Sequence, residues 1–276
     1  MNNKEIFQEK NNKLNANNTD LVSILETVNN LPTNENPGIT PTGIININQN
    51  GSYDVTEYAS ANVNVTFDTT EIEDAFINHT LSGDYVNDRT TKIRYYTFYE
   101  DANLTGVSFP NVTSVENYAF YKCTSLADIN IPQLTSAGTY AFAYTIPTNI
   151  NFPLLESIGT YTFAYVNKPC QVYLPKLNTV PNSGCRDSKG ITRVDLAIAS
   201  KIDTLSFYYC SNLETLILRK SDSICTLSNT SAFTGTKIAG KTGYVYVPDE
   251  LVEEYKVATN WTSFASQIKP LSELVE

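Results

Sequence analysis

Few residues in this chain of 276 have the chemistry of a catalyst or a metal centre. His79 is the only histidine, and the five cysteines, Cys123, Cys170, Cys185, Cys210 and Cys225, form no C-x-x-C pair. A protein metal site needs several such ligands at set spacings, so the sequence predicts small buried thiols, no metal and no cofactor. Neither a Gly-rich phosphate loop, a G-x-S-x-G elbow nor an H-E-x-x-H helix is present. Asp128 and Asp195 are candidates for a carboxylate pair, but they fall about three strand spacings apart. At about 4.8 Å per strand that is roughly 14 Å, beyond the range of about 6.5–9.5 Å that an inverting glycosidase uses. The sequence predicts a protein that binds, not an enzyme.

The residues best suited to binding recur in two columns. One reads Gly106, Asp128, Asn149, Gln171, Arg193 and Thr215; the other reads Ser108, Asn130, Asn151, Tyr173, Asp195 and Ile217. Asp128, Asn130, Asn149, Asn151, Gln171, Tyr173, Arg193 and Asp195 are the candidate binding set. Amides, acids and one aromatic suit a cell-surface glycan or a polar protein patch, although a solvated face with nothing bound would carry the same residues. A separate tyrosine column, Tyr96, Tyr118, Tyr140 and Tyr161, with Tyr144 and Tyr165 beside it, reads either as stacked half-buried rings or as an aromatic recognition edge.

A repeat positions these columns. Phenylalanine falls at Phe98, Phe120, Phe142, Phe163 and Phe207, with Cys185 in the slot between the last two, in steps of 22, 22, 21, 22 and 22 residues. Pro110, Pro132, Pro153 and Pro175, continued by Ala197 and Arg219, keep the same rhythm. A fixed period of about 20–50 residues is the signature of a solenoid. Val107, Ile129, Ile150, Val172, Val194 and Leu216, and two residues on Phe109, Ile131, Phe152, Leu174, Leu196 and Leu218, are apolar at a strand's spacing. Each repeat is thus expected to add one strand, then apolar corners such as Val115, Ala137 and Ile158, then a phenylalanine filling the far side of the core. Because proline lacks the N–H that a central strand needs, the proline column marks where each strand ends.

The run Leu126, Ile129, Ile131, Pro132, Leu134, Ala137, Ala141, Phe142 resembles the BspA-like (Treponema-type) leucine-rich repeat, roughly L-x-x-I-x-I-P-x-x-V-x-x-I-x-x-x-A-F-x-x-C. Six copies span residues 93–219. The departures are Pro147 and Pro169 at the leading leucine position, one residue missing between Phe142 and Ile150, and Cys185 in place of Phe. The resemblance implies a mostly β leucine-rich-repeat solenoid of about six 22-residue repeats with short helices and a cap at each end.

The flanks divide the rest. Residues 1–31 read as a helix whose seam carries Leu14, Leu21, Ile24 and Val28, interrupted by Lys10 and Asn17. It is expected either to form a dimeric or trimeric coiled coil or to pack on its own chain. Residues 32–41 are a Pro- and Asn-rich linker, and 42–69 a small β-module with a hairpin signal at Asn50-Gly51. Residues 70–92, with a helical pattern over Glu71–Asn78 and a strand near Leu81–Tyr85, form the N-terminal cap. Residues 220–276 form the C-terminal cap, with a last strand at Tyr244–Val247, a helix N-capped by Asp249, and Trp261 as a plug. The wording of the C-terminal cap and of the segment Gly43–Val65, in phrases such as residues 246–252 and 50–56, also resembles phage and prophage tail-associated proteins of Gram-positive gut bacteria.

A net charge of −10 disfavours nucleic acid as a partner, and no run of 18 apolar residues predicts membrane insertion. With no signal peptide legible after Met1, the expectation is a soluble phage or prophage virion protein, on a tail or capsid surface. Its N-terminal segment would hold other virion proteins, and its solenoid would bind the host. A bacterial cell-surface adhesin and an intracellular scaffold are the alternatives.

Overall fold

A computed structural model of the chain describes residues 83–88 and 90–275, together with the backbone of four strands before them. The expected helix and linker of residues 1–41, the seam residues Leu14, Leu21, Ile24 and Val28, and His79 lie outside the described residues. The chain divides into two compact units, 1–69 and 70–276. In the first, β1 (Gly43–Ile47) pairs antiparallel with β2 (Tyr53–Tyr58), Ile47 opposite Tyr53, and parallel with β3 (Asn64–Phe67).

The second unit is a solenoid with parallel pairing throughout its ladders. Its strands alternate between a two-residue corner and a longer strand. They run β4 (Glu71–Ile72), β5 (Gly83–Val86), β6 (Lys92–Ile93), β7 (Leu104–Ser108), β8 (Ser114–Val115), β9 (Asp128–Asn130) and β10 (Ser136–Ala137). The alternation continues through β11 (Ile150–Asn151), β12 (Ser157–Ile158), β13 (Cys170–Tyr173), β14 (Thr179–Val180), β15 (Ile191–Leu196) and β16 (Lys201–Ile202). It closes with β17 (Thr215–Leu218), β18 (Thr226–Leu227), β19 (Tyr244–Val247) and β20 (Ile268–Pro270). Longer strands form two sheets, β5-β7-β9 and β11-β13-β15-β17-β19-β20, and corners form two more, β4-β6-β8-β10-β12 and β14-β16-β18.

Both longer-strand and corner sheets are interrupted once. The break between β9 and β11 falls where the repeat is one residue short, between Phe142 and Ile150, although just before the two strands Thr148 still donates its N–H to Ala127 O at 3.2 Å. Between β12 and β14 the cause is Pro181. Gly138, Gly159 and Asp203 each donate their N–H from the residue after the corner to the preceding repeat, and Pro181 occupies that position without an N–H.

The ladders extend past the limits expected from the sequence. Glu71 and Ile72, expected to open a helix, are a corner strand with Ile72 opposite Ile93. Tyr244–Val247 is not the last strand, since Val245 lies opposite Ile268 on β20. Nor does Asp249 cap a helix. Pro248 holds that position, and the Asp249 carboxylate accepts from the Ser272 N–H at 3.1 Å. A 3-10 turn (Asp249–Leu251), the helix α1 (Val252–Val257) and a second 3-10 turn (Trp261–Gln267) cover the end of the core. Trp261 is fully buried there and donates its indole N–H to the Cys225 carbonyl at 2.7 Å.

A third wall closes each repeat, and its backbone is unusual. The residues two before and two after the Phe slot are left-handed: Tyr96 and Glu100, Tyr118 and Lys122, Tyr140 and Tyr144, Tyr161 and Tyr165, Ser183 and Asp187, Leu205 and Tyr209, all at φ of 56–65°. Such a conformation costs an L-residue roughly 1–2 kcal/mol. The return is a ladder in which Tyr118, Phe120 and Lys122 donate their N–H groups to the carbonyls of Thr139, Ala141 and Ala143 in the next repeat, and Tyr140, Phe142 and Tyr144 do the same to Thr160, Thr162 and Ala164. The rings add to it. Tyr96, Tyr118, Tyr140 and Tyr161 stack at 5.1, 5.1 and 4.6 Å, and Tyr144 on Tyr165 at 4.3 Å, each pair contributing about 0.5–1.5 kcal/mol.

Inside this wall Phe98, Phe120, Phe142 and Phe163 stack at 4.9, 5.2 and 5.6 Å, all buried. Phe233 rejoins the column, stacked on Phe207 at 5.8 Å, although 26 residues separate them in sequence. Polar side chains tolerated in the core satisfy backbone carbonyls: Ser206 Oγ, in the slot where other repeats have Ala119 and Ala141, donates to Asp203 O at 2.7 Å, and Thr145 Oγ1 to Phe142 O at 2.7 Å. Phe142→Ala is expected to lower stability by about 3–5 kcal/mol, read as a lower urea midpoint at unchanged slope.

Candidate binding surface

The outward side chains of the longer strands form two rows on each sheet. On β5-β7-β9, Asp84, Gly106 and Asp128 are in register, as are Val86, Ser108 and Asn130. On the six-stranded sheet one row runs Gln171, Arg193, Thr215, Tyr244, and the other Asn151, Tyr173, Asp195, Ile217, Tyr246, Lys269. The eight expected binding residues are therefore divided between two hydrogen-bonded sheets. Asp128 and Asn130 are exposed on the first sheet; Asn151, Gln171, Tyr173, Arg193 and Asp195 stand on the second, with exposed Asn149 just before β11.

Asp195 departs from expectation. It is only 8% exposed, and its carboxylate accepts from Arg219 Nε at 2.9 Å and Nη2 at 2.8 Å. This two-pronged pair is the geometry a guanidinium favours, and it makes Asp195 part of the floor, not an open acid. It also accounts for the absence of proline at Arg219, the last position of that column. Arg219 donates its own N–H to Leu196 O at 3.0 Å, which proline could not do, while its side chain holds Asp195. The signal was present in sequence as an acid and a cation 24 residues apart, one repeat plus two.

Around this floor the surface opens. Ile217 is fully buried, while Tyr173 and Tyr244 are 45% and 41% exposed. Lys269 lies 5.9 Å from the centre of the Tyr244 ring and pairs with Glu273 at 2.9 Å. Arg193, between Gln171 and Thr215, makes no ion pair among the described residues.

All five cysteines are unpaired and buried. Burial pushes Cys170 up to about 11 and Cys185 and Cys225 to about 12, and raises Cys123 and Cys210 as well. Cys123 and Cys210 donate their S–H groups to Phe98 O and Cys185 O, both at 2.9 Å. Among the described residues no three His, Cys, Asp or Glu side chains gather as metal ligands, and no helix is long and apolar enough to cross a membrane.

With this geometry in hand, the chain was compared with known proteins. The family profile described as BspA type leucine rich repeat region, in six copies, matches residues 91–214 and 135–242, together more than half of the chain. A search of curated protein sequences returned no match. Among solved structures, the pneumococcal vaccine antigen PcpA is 12% identical with a TM-score of 0.44, over 74% of this chain and 43% of that one, so the chain spans less than half of that protein's length. A leucine-rich repeat protein from Bacteroides ovatus ATCC 8483 is 13% identical with a TM-score of 0.31, over 88% of this chain and 100% of that one. A leucine rich cell surface protein from Faecalibacterium prausnitzii A2-165 is 13% identical with a TM-score of 0.23, over 86% of this chain and 99% of that one.

The raised thiols carry a pH consequence. Above about pH 9 the unfolded chain loses thiol protons that the folded chain keeps, so the unfolded state binds fewer protons and stability falls as pH rises. The urea midpoint is expected to hold steady to about pH 8 and to decline from pH 9 through 11, less steeply in Cys185→Ala.

Proposed function

The chain belongs to the BspA type leucine-rich repeat family, and from that we propose that it is a non-enzymatic recognition protein, its solenoid displayed on a surface and binding a protein or a cell-surface glycan. The observation that carries this reading is the six-stranded sheet β11–β20. Exposed Tyr173 and Tyr244, the amides Asn151 and Gln171, and Arg193 stand on rigid paired strands over a buried, internally neutralised floor. Extended sheet faces of solenoids suit partners too large for a pocket, and Tyr adds contact area at low conformational cost.

The setting proposed is the bacterial cell surface, in keeping with the alternative expected from the sequence. Residues 50–56 resemble phage tail-associated proteins and support a second setting. There residues 1–69 would attach the chain to other virion proteins and, through Leu14, Leu21, Ile24 and Val28, join it into a dimer or trimer. Antibody labelling of intact bacteria and of purified phage particles separates the two settings.

Two outcomes are expected. Tyr173→Ala combined with Gln171→Ala should weaken attachment of the labelled protein to bacterial or host cells at least about tenfold, the loss of one good contact, without moving the melting temperature. Unchanged attachment would reject the sheet as the binding surface. For assembly, Leu21→Ser with Ile24→Ser should reduce the mass in sedimentation equilibrium to that of one chain. A wild-type monomer would refute the coiled coil.

A further inference from the structure

The net charge of −10 conceals a reversal along the solenoid. Residues 70–165 carry four Lys and Arg against ten Asp and Glu, and residues 248–276 carry two against six. Between them, residues 166–247 carry ten against five. All five acids of this basic section are already neutralised by cations of the same section: Asp187 by Arg186, Asp195 by Arg219, Asp203 by Lys201, Glu214 by Lys237 and Asp222 by Lys220. Five cations remain without an ion pair among the described residues: Lys168, Lys176, Lys189, Arg193 and Lys241.

Four of the five collect on one side of the six-stranded sheet. Lys168, Lys189 and Lys241, all exposed, stand in the turns that lead into β13, β15 and β19. Lys168 and Gly190 lie against each other so closely that a Cβ on Gly190 would collide with the Lys168 carbonyl, which puts Lys189 beside Lys168 one strand over. Arg193 continues from Lys189 onto the face of β15, between Gln171 and Thr215, with Tyr173 and Tyr244 exposed on flanking strands.

We propose that this basic rim and the adjoining rows bind an acidic polysaccharide, with Arg193 and the three lysines meeting its carboxylates or sulfates and Tyr173, Gln171, Thr215 and Tyr244 meeting its sugar rings and hydroxyls. The inference rests on the binding surface proposed above and names its ligand class. Cations on adjoining turns, as Lys168 and Lys189 are, oppose one another unless a counter-anion joins them, and no acid of the section is left to do so. Phenols, amides and a hydroxyl around the cations match a polyhydroxylated chain, whereas Ile217, the aliphatic side chain of these rows, is buried and cannot meet a peptide anchor. A nucleic acid, with about one charge per 1.7 Å of duplex, would run onto the acidic sections on either side. A polysaccharide with sparser charge can be held within the basic one.

The test is binding of the full chain to immobilised polygalacturonate and heparin, with dextran, poly-glutamate and poly(dT) as comparisons. Binding to the acidic polysaccharides is expected, weakening as salt rises, and dropping about tenfold or more in Arg193→Ala and in Lys168→Ala/Lys189→Ala. Lys256→Ala, in the acidic C-terminal section, should leave it unchanged, and circular dichroism confirms that each variant is folded. Equal binding to poly-glutamate or poly(dT), binding to dextran alone, or indifference to the four cations overturns the proposal. Cells that still attach through Tyr173 and Gln171 while neither acidic polysaccharide binds would reject the ligand class and leave the surface standing.

Discussion

Everything in the solenoid depends on the hydrogen-bonded wall that carries the phenylalanine column. Its N–H groups, two or three per repeat, reach carbonyls of the next repeat only because residues on both sides of each phenylalanine slot are left-handed. Twelve non-glycine residues accept that conformation, at a cost comparable to what ring stacking and inter-repeat bonds return. Once the wall is fixed, the phenylalanine has one place to go, and the corner and longer strand follow at fixed offsets. The tyrosines on this wall present edges and hydroxyls more than faces, since their faces are spent on one another. That explains their spacing without a ligand.

Legibility in the sequence followed periodicity. The apolar columns and phenylalanine steps located the longer strands, because burial recurs at the same offset in every repeat. The ends were harder. Ile72, Tyr85, Val245 and Ile268 occupy repeat positions in three dimensions, but the intervals leading to them are irregular in length, and a pattern defined by period stops where the period does. Phe233 shows what would have extended it: Gly235 two residues on and Thr236 three on match Tyr209 and Cys210 after Phe207. The left-handed residues carried no compositional signal, being Tyr, Lys, Glu, Asp, Ser and Leu where Gly or Asn would have announced the turn.

The candidate binding surface was half legible. Alternation assigned outward positions correctly but could not separate an open residue from one already engaged. Asp195 and Arg193 are two residues apart on one strand and looked alike as candidates; Arg219, a repeat away, takes Asp195 and leaves Arg193. A total charge likewise averages over the sections that a partner would meet one at a time, and only the ion pairs reveal which cations remain.

The two breaks in the sheets do not coincide. The longer strands part between β9 and β11, the corners between β12 and β14, one repeat further on, and at each break the other walls remain bonded. The arrangement is that of staggered joints in masonry. A force pulling the solenoid apart along its length meets no plane in which all three walls are open. Misaligned defects let the repeat tolerate a missing residue and an intrusive proline without acquiring a line of tearing.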